Sequence, residues 1–197
     1  MGHYSQLYLT NDGVTPERGE LSRSATPYLL SKYHIPLLWL ALFSSNDIRE
    51  GDIEGEAWPY MVKGRHEAIA LLRSRTAFME QTFPGLEHSW VEQFDALLTG
   101  TPLEFVHLET CDIGAMMCAN GDEWRGELQE FLRIFDPRQS SSETFPERLL
   151  YKSPQGPAWD KFITRFASAY AVDTPHEPSL YCGSSGADED MEWEEPS

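Results

Sequence analysis

The amino-acid sequence predicts an α+β fold, mainly helical, with a small antiparallel sheet and an extended acidic C-terminal tail. Apolar residues recur at the three-four spacing of amphipathic helices along several segments. Two other segments alternate as strands do, and helices and strands do not alternate regularly as in a βαβ protein. Aromatic residues make up 12% of the 197 residues, enough to fill a core. We expect a single globular domain over 1–172 and a Pro-, Gly- and Ser-rich acidic tail over 173–197.

The N-terminal part is predicted to contain one strand and two helices. Residues 3–10 alternate between leucine and tyrosine faces, which is typical of a strand. Pro27 suits the first turn of a helix, and Pro36 separates it from a second helix over 37–43. That second run is apolar nearly all round, so it is expected in the core, and a buried strand is the competing interpretation. The acidic stretch 51–59 is broken by glycines, and no element is predicted there.

The rest of the chain is predicted to be mostly helical. Helices are expected over 63–81 and 86–98, and the short loop between them predicts an antiparallel pair. The segment LEFVHLETCDIGAM at 103–116 is the second strand. Two more helices are expected over 120–135 and 157–171. Two to four strands in all are expected to form the antiparallel sheet.

The charge of the chain indicates what kind of partner it attracts. The net charge is -17, and the last ten residues contribute -6 of it. Such a field repels nucleic acid and anionic lipid and attracts basic proteins, although it also keeps a protein dissolved. Basic residues are scattered without an aromatic-basic stripe, so no direct nucleic-acid binding is expected. The longest apolar run, IPLLWLALF, is too short to span a bilayer, so no membrane contact is expected.

Motifs for cofactors, metals and secretion are missing from the sequence. There is no P-loop, GxGxxG, nucleophile elbow or HExxH motif, and no cofactor is expected. His66 and Glu67 lack a second histidine one turn further on, so no metal site is expected. The three cysteines form no CxxC pair and the N-terminus resembles no signal peptide, which together predict a reduced, cytoplasmic protein. The oligomeric state is left open.

One segment carries residues of the kinds that catalyse reactions. His107, Glu109 and Cys111 share a face of the predicted strand, and a cysteine nucleophile needs a nearby histidine. Four strand residues span about 13 Å, too far for direct contact between His107 and Cys111 on a straight strand. An ordinary sheet face with one buried cysteine is therefore favoured. Close carboxylate pairs, which could serve a hydrolase, are expected by chance among 32 acidic residues.

The acidic tail is the clearest candidate for partner binding. Its carboxylates surround Met191 and Trp193, a composition typical of a disordered segment that docks on a basic, apolar groove. The alternative is a solubilising end whose Trp193 packs on its own domain. The acidic regions 46–56 and 109–130 extend the predicted partner-binding set. That set comprises Asp47, Glu50, Asp52, Glu54, Glu56, Trp58, Glu109, Asp112, Asp122, Glu123 and Trp193.

Over residues 1–135 the chain resembles a known class of small binding proteins. A short N-terminal strand, the segment KYHIPLLWLALFSSNDI, a helical pair and VHLETCDIGAM follow one another in an acidic chain. This layout resembles the immunity proteins of bacterial polymorphic-toxin and contact-dependent inhibition systems, and no diagnostic motif accompanies it. The resemblance implies a non-enzymatic protein that neutralises a cognate, basic toxin domain by occluding its active site. A hydrolase and an adaptor subunit of a larger assembly are the alternatives.

Overall fold

The computed structural model describes residues 4–14, 28–32, 35–53, 56–82, 86–133, 135 and 181–185, and the structural statements below concern these residues. The strands are β1 (Tyr4–Thr10), β2 (Tyr28–Lys32), β3 (Ile48–Ile53), β4 (Glu56–Gly64), β5 (Phe105–Glu109) and β6 (Ser184–Ser185). The helices are α1 (Leu37–Leu40), α2 (Arg65–Thr82), α3 (His88–Gly100), α4 (Cys111–Met117) and α5 (Gly121–Arg133). A 3₁₀ turn over Ser45–Asp47 precedes β3.

The strands form one antiparallel sheet in the order β3-β4-β5-β1-β2-β6. Its register aligns one residue of each strand in a single row, with β3 and β6 at the two edges. The row consists of Ile48, Met61, Leu108, Leu7, Leu29 and Ser185. Because side chains alternate along a strand, each neighbouring row faces the other side of the sheet.

All five helices contribute to a core on one face of the sheet. Leu7, Leu108 and Met61 from the sheet belong to the same buried cluster as side chains from every helix. Burial of each large apolar side chain contributes about 1.5–3 kcal/mol. Arg75 of α2 is buried in this core, and its guanidinium donates to the carbonyls of Ala41 (2.8 Å) and Phe43 (2.7 Å). It thereby satisfies backbone acceptors just beyond α1, where the helix offers no partners.

The opposite face of the sheet carries a second, smaller cluster. Tyr8, His107 and Val62 are aligned across β1, β5 and β4, and all three are buried. Tyr60 belongs to the same cluster, and Phe105 packs against it. This face therefore differs from the first because its centre holds aromatic and polar side chains.

The C-terminal part of the described chain belongs to the folded body. Tyr181 and Cys182 are buried in the main core, and β6 pairs with β2. The Trp39 indole donates to the Cys182 carbonyl at 2.8 Å. Gly183 follows with φ +76°, a left-handed conformation that glycine adopts without strain. These residues fall within the segment 173–197 that the sequence assigned to the tail.

The α+β class is confirmed, and the predicted helices correspond to α2, α3 and α5. The sheet has six strands among the described residues, which is more than the two to four that were expected. The helix predicted from Pro27 is wrong, since Tyr28–Lys32 is strand β2. No element was predicted over 51–59, whereas residues 51–53 belong to β3 and residues 56–59 belong to β4. The helix expected over 157–171 lies outside the described residues, as does the acidic tail from residue 186 onward.

Candidate functional site

Helix α5 has one buried face and one charged face. Trp124, Leu128, Phe131 and Leu132 follow the three-four spacing and are buried. Asn120 begins the helix, because its Oδ1 accepts from the Glu123 amide while the Glu123 carboxylate accepts from the Ala119 amide (both 3.0 Å). The carboxylates of Asp122 and Glu123 also stabilise the positive N-terminal end of the helix dipole.

Helix α5 packs directly on the β3–β4 hairpin. A Cβ atom on Gly121 would lie 2.1 Å from the Ala57 carbonyl oxygen, so only glycine permits this approach. Arg125 bridges the two elements, since its Nη2 lies 3.1 Å from the Glu50 carboxylate. The fold therefore brings together two acidic segments that are far apart in sequence, since Glu50 and Arg125 are separated by 75 positions.

Exposed carboxylates from both elements form what we call the α5–hairpin surface. Its members are Glu50, Glu56, Asp122, Glu123 and Glu130. Arg125 pairs with Glu50, and Arg133 pairs with Glu130 on the same helix. The remaining three carboxylates make the surface net acidic. The two exposed ion pairs contribute little to stability. The excess negative charge of the surface attracts positively charged molecules over a long range.

The other predicted partner-binding residues have different environments. Asp47 is buried, and its carboxylate accepts from Lys63 at 2.9 Å and from the Ser44 amide and hydroxyl at 2.7 Å each. Trp58 is 7% exposed and belongs to the main core. Glu109 and Asp112 are half-buried, on β5 and in the first turn of α4. The side chain of Asp52, together with Glu54 and Trp193, lies outside what the structure describes.

His107 lies at the centre of the second-face cluster with both ring nitrogens engaged. Its Nδ1 is 3.3 Å from the Tyr60 hydroxyl, and its Nε2 is 2.7 Å from the Asp12 carbonyl and 3.0 Å from Thr10 Oγ1. The ring of Tyr8 stacks on the imidazole at 5.2 Å between centroids. Burial lowers the pKa of His107, and the hydrogen bond to the Asp12 carbonyl offsets only part of this effect.

These contacts fix which nitrogen of the neutral imidazole carries the proton. A carbonyl oxygen only accepts, so the Asp12 carbonyl at 2.7 Å assigns the proton to Nε2. Nδ1 then accepts from the Tyr60 hydroxyl, and the Thr10 hydroxyl donates to the Asp12 carbonyl at 2.5 Å. An imidazole with both nitrogens occupied in this way offers no free lone pair to deprotonate Thr10 or a thiol.

Cys111 does not share the strand face with His107 and Glu109, contrary to the sequence prediction. Strand β5 ends at Glu109, the backbone turns at Thr110, and Cys111 begins α4. Its sulfur lies 3.8 Å from the Pro59 carbonyl within the main core. His107 and Glu109 do face the same side, while Cys111 enters the opposite cluster, so the suggested catalytic trio is not assembled.

An open groove of about 520 Å³ runs along α2 and α3. The contacts Arg73–Asp95 (2.6 Å) and Glu80–His88 show that the two helices are antiparallel, as predicted. The Glu80 carboxylate raises the pKa of His88, and the Arg73 guanidinium lowers the pKa of Asp95. The charges along this groove are therefore largely neutralised by one another, as expected for contacts that join two helices.

Searches for metal clusters and membrane helices in the described part of the chain found none. Within these ranges no group of three or more His, Cys, Asp or Glu side chains has the arrangement of a metal site. None of the described helices is long and apolar enough to cross a membrane. No family model, curated protein or solved structure matches this chain.

Sequence reasoning missed the neighbours of His107. Strand β1 was predicted, and its alternation already placed Tyr8 opposite the leucines. The strand predicted over 103–116 is correct only for β5, because it ends at Glu109 and helix α4 follows. Pairing β1 with β5 in the observed register would have brought Tyr8 onto His107. Tyr60 could not be found in this way, because its strand lies in the unpredicted hairpin.

Proposed function

We propose that this chain is a non-enzymatic binding protein that recognises a basic protein partner through the α5–hairpin surface. The observation that carries the proposal is the packing of α5 on the β3–β4 hairpin, which joins two acidic segments into one exposed surface. A surface of one charge accelerates encounters with a partner of opposite charge and disfavours acidic competitors.

The class of binding protein that we propose is a cytoplasmic immunity protein. Its partner would be the basic domain of a cognate toxin, whose cationic substrate-binding surface these carboxylates would cover. The layout of the chain and its net charge of -17 support this assignment. A catalytic role for His107 is disfavoured, because the ring is buried and both its nitrogens have partners.

The test is calorimetric titration against the product of the adjacent gene, over a series of salt concentrations. The informative variant is Glu56→Gln with Asp122→Asn, which removes two exposed charges from the surface. We expect weaker binding, a slower association rate and a smaller salt dependence, since exposed interface charges act mainly on association.

A matched control removes two charges elsewhere. Glu67→Gln with Glu104→Gln changes the net charge equally, and both side chains are exposed. Glu56 begins β4, whereas Glu67 lies just beyond its other end, and the nine-residue strand from Glu56 to Gly64 is about 26 Å long. Equal effects of the two variants would assign binding to net charge alone and refute the surface. No measurable binding at low salt would refute the proposed partner.

A further inference from the structure

Among the described residues of the loop after β1, the contacts with the sheet are made to His107 and to the ring of Phe105. Residues 11–14 form a compact turn in which the Val14 amide donates to the Asp12 carboxylate at 2.9 Å. The Asp12 carbonyl accepts from His107 Nε2 at 2.7 Å, and Gly13 lies against the ring of Phe105. The position of the loop on the sheet therefore depends on the state of this imidazole.

We propose that His107 is a pH-sensitive latch, which holds the loop of residues 11–14 on the sheet while the imidazole is neutral and releases it when the imidazole takes up a proton. This inference does not depend on the proposed function.

Protonation is unfavourable in the closed arrangement for two geometric reasons. Nδ1 would gain a hydrogen directed at the Tyr60 hydroxyl, which now donates to it and would have to turn its own hydrogen away. The new charge would also be enclosed, because His107 has no exposed surface and the Tyr8 ring covers one side of it. A charge enclosed in this way is disfavoured relative to a hydrated one, because the loss of hydration outweighs the stronger hydrogen bond from Nε2 to the Asp12 carbonyl.

Release of the loop is the route by which the charged ring reaches water. Tyr8 and Tyr60 are buried on the sheet side of the imidazole, whereas Asp12 is exposed and Thr10 is half-buried on the loop side. The loop has its own internal hydrogen bonds, so it can move away without losing them. Each unit by which the pKa of the open form exceeds that of the closed form changes the closed-to-open ratio tenfold.

The other titratable groups around the ring come from β1, β4, β5 and the loop. Tyr8 from β1 and Tyr60 from β4 are phenols, which ionise only at high pH, and burial raises the pKa of Tyr8 further. The charged groups are the carboxylates of Glu109, on the same face of β5, and of Asp12 in the loop, and histidine is the side chain whose charge ordinarily changes between about pH 5 and pH 8. A transition between about pH 5 and pH 7 therefore belongs to the imidazole.

Nuclear magnetic resonance can follow the proton and the loop in one sample of the full chain. The imidazole shifts report the protonation of His107, and the Gly13 Hα shifts report loop position, because Gly13 lies on the Phe105 ring. We expect both to titrate with the same midpoint while signals of α2 and α3 stay unchanged. Gly13 shifts that remain constant through the titration of His107, or loss of all signals together, would overturn the latch.

Two variants separate the latch from general destabilisation. In His107→Gln the side-chain amide can still donate to the Asp12 carbonyl but does not titrate, so Gly13 is expected to stay docked across the pH range. In Tyr60→Phe the neutral imidazole loses its donor, so the midpoint is expected to rise by on the order of half to one pH unit. An unchanged or lower midpoint in Tyr60→Phe would overturn the proposal even if His107→Gln does not fold.

Discussion

Replacing Gly183 by alanine is expected to lower the free energy of unfolding by about 2–5 kcal/mol. Gly183 has φ +76°, and a left-handed backbone costs a residue with a Cβ about 1–2 kcal/mol. The added Cβ would lie 2.2 Å from Cζ2 of Trp39, so the indole ring or the backbone at Gly183 must move. Overpacking of this kind costs about 1–3 kcal/mol. The sum is a large fraction of the stability of a typical domain.

Urea unfolding followed by tryptophan fluorescence measures this loss. The matched control is Gly126→Ala on α5, where a Cβ would have no neighbour within 4 Å. That change is expected to stabilise the protein by about 0.5–1 kcal/mol, since alanine favours a helix more than glycine does. A loss below about 0.5 kcal/mol for Gly183→Ala would contradict the packing of the C-terminal segment against Trp39.

Three further predictions concern single interactions. Burial lowers the pKa of His107 below its ordinary 6.5, so the unfolded chain binds more protons and the free energy of unfolding falls as the pH drops below 6.5. The urea midpoints at about pH 7.5 and pH 5.5 should therefore differ less in His107→Gln than in the unmodified protein. The raised pKa of His88 has the opposite effect on stability and is the same in both proteins. Arg75→Met leaves two buried carbonyls unsatisfied and should cost about 3 kcal/mol in urea unfolding, with Arg75→Lys recovering part. A double-mutant cycle on the Arg73–Asp95 pair should give a small coupling energy that decreases with salt, because the Arg73 side chain is exposed to solvent.

The helices were predictable because their signals are local. The apolar stripes of α2, α3 and α5 repeat at helical spacing, and residues such as Gly100 and Asn120 mark their ends. Strand pairing is not local. The hairpin of β3 and β4 was missed because glycines, acidic residues and Pro59 are all uncommon within strands. Strand pairing and the burial of side chains such as Met61 in the core stabilise it, and neither is visible in the local sequence.

The same difference explains the outcome for the candidate site. Glu50, Glu56, Asp122 and Glu123 could be recognised as acidic and exposed, but their proximity depends on the contact of α5 with an unpredicted hairpin. Asp47 looked like another surface charge, and its partner Lys63 lies 16 positions away, on the neighbouring strand β4. No pattern in the sequence of either segment identifies that ion pair, because the two side chains meet only when β3 and β4 have paired.

The hydrogen bond between Trp39 and Cys182 also affects how the chain folds during its synthesis. The two residues are 143 positions apart, so this part of the core stays incomplete until Cys182 has been synthesised. Contacts between residues so far apart form slowly, because the entropy of closing a large loop is lost before the contacts stabilise the chain. Trp39 and its apolar neighbours are then exposed during translation, which makes nascent chains interrupted before residue 183 the species most prone to aggregate.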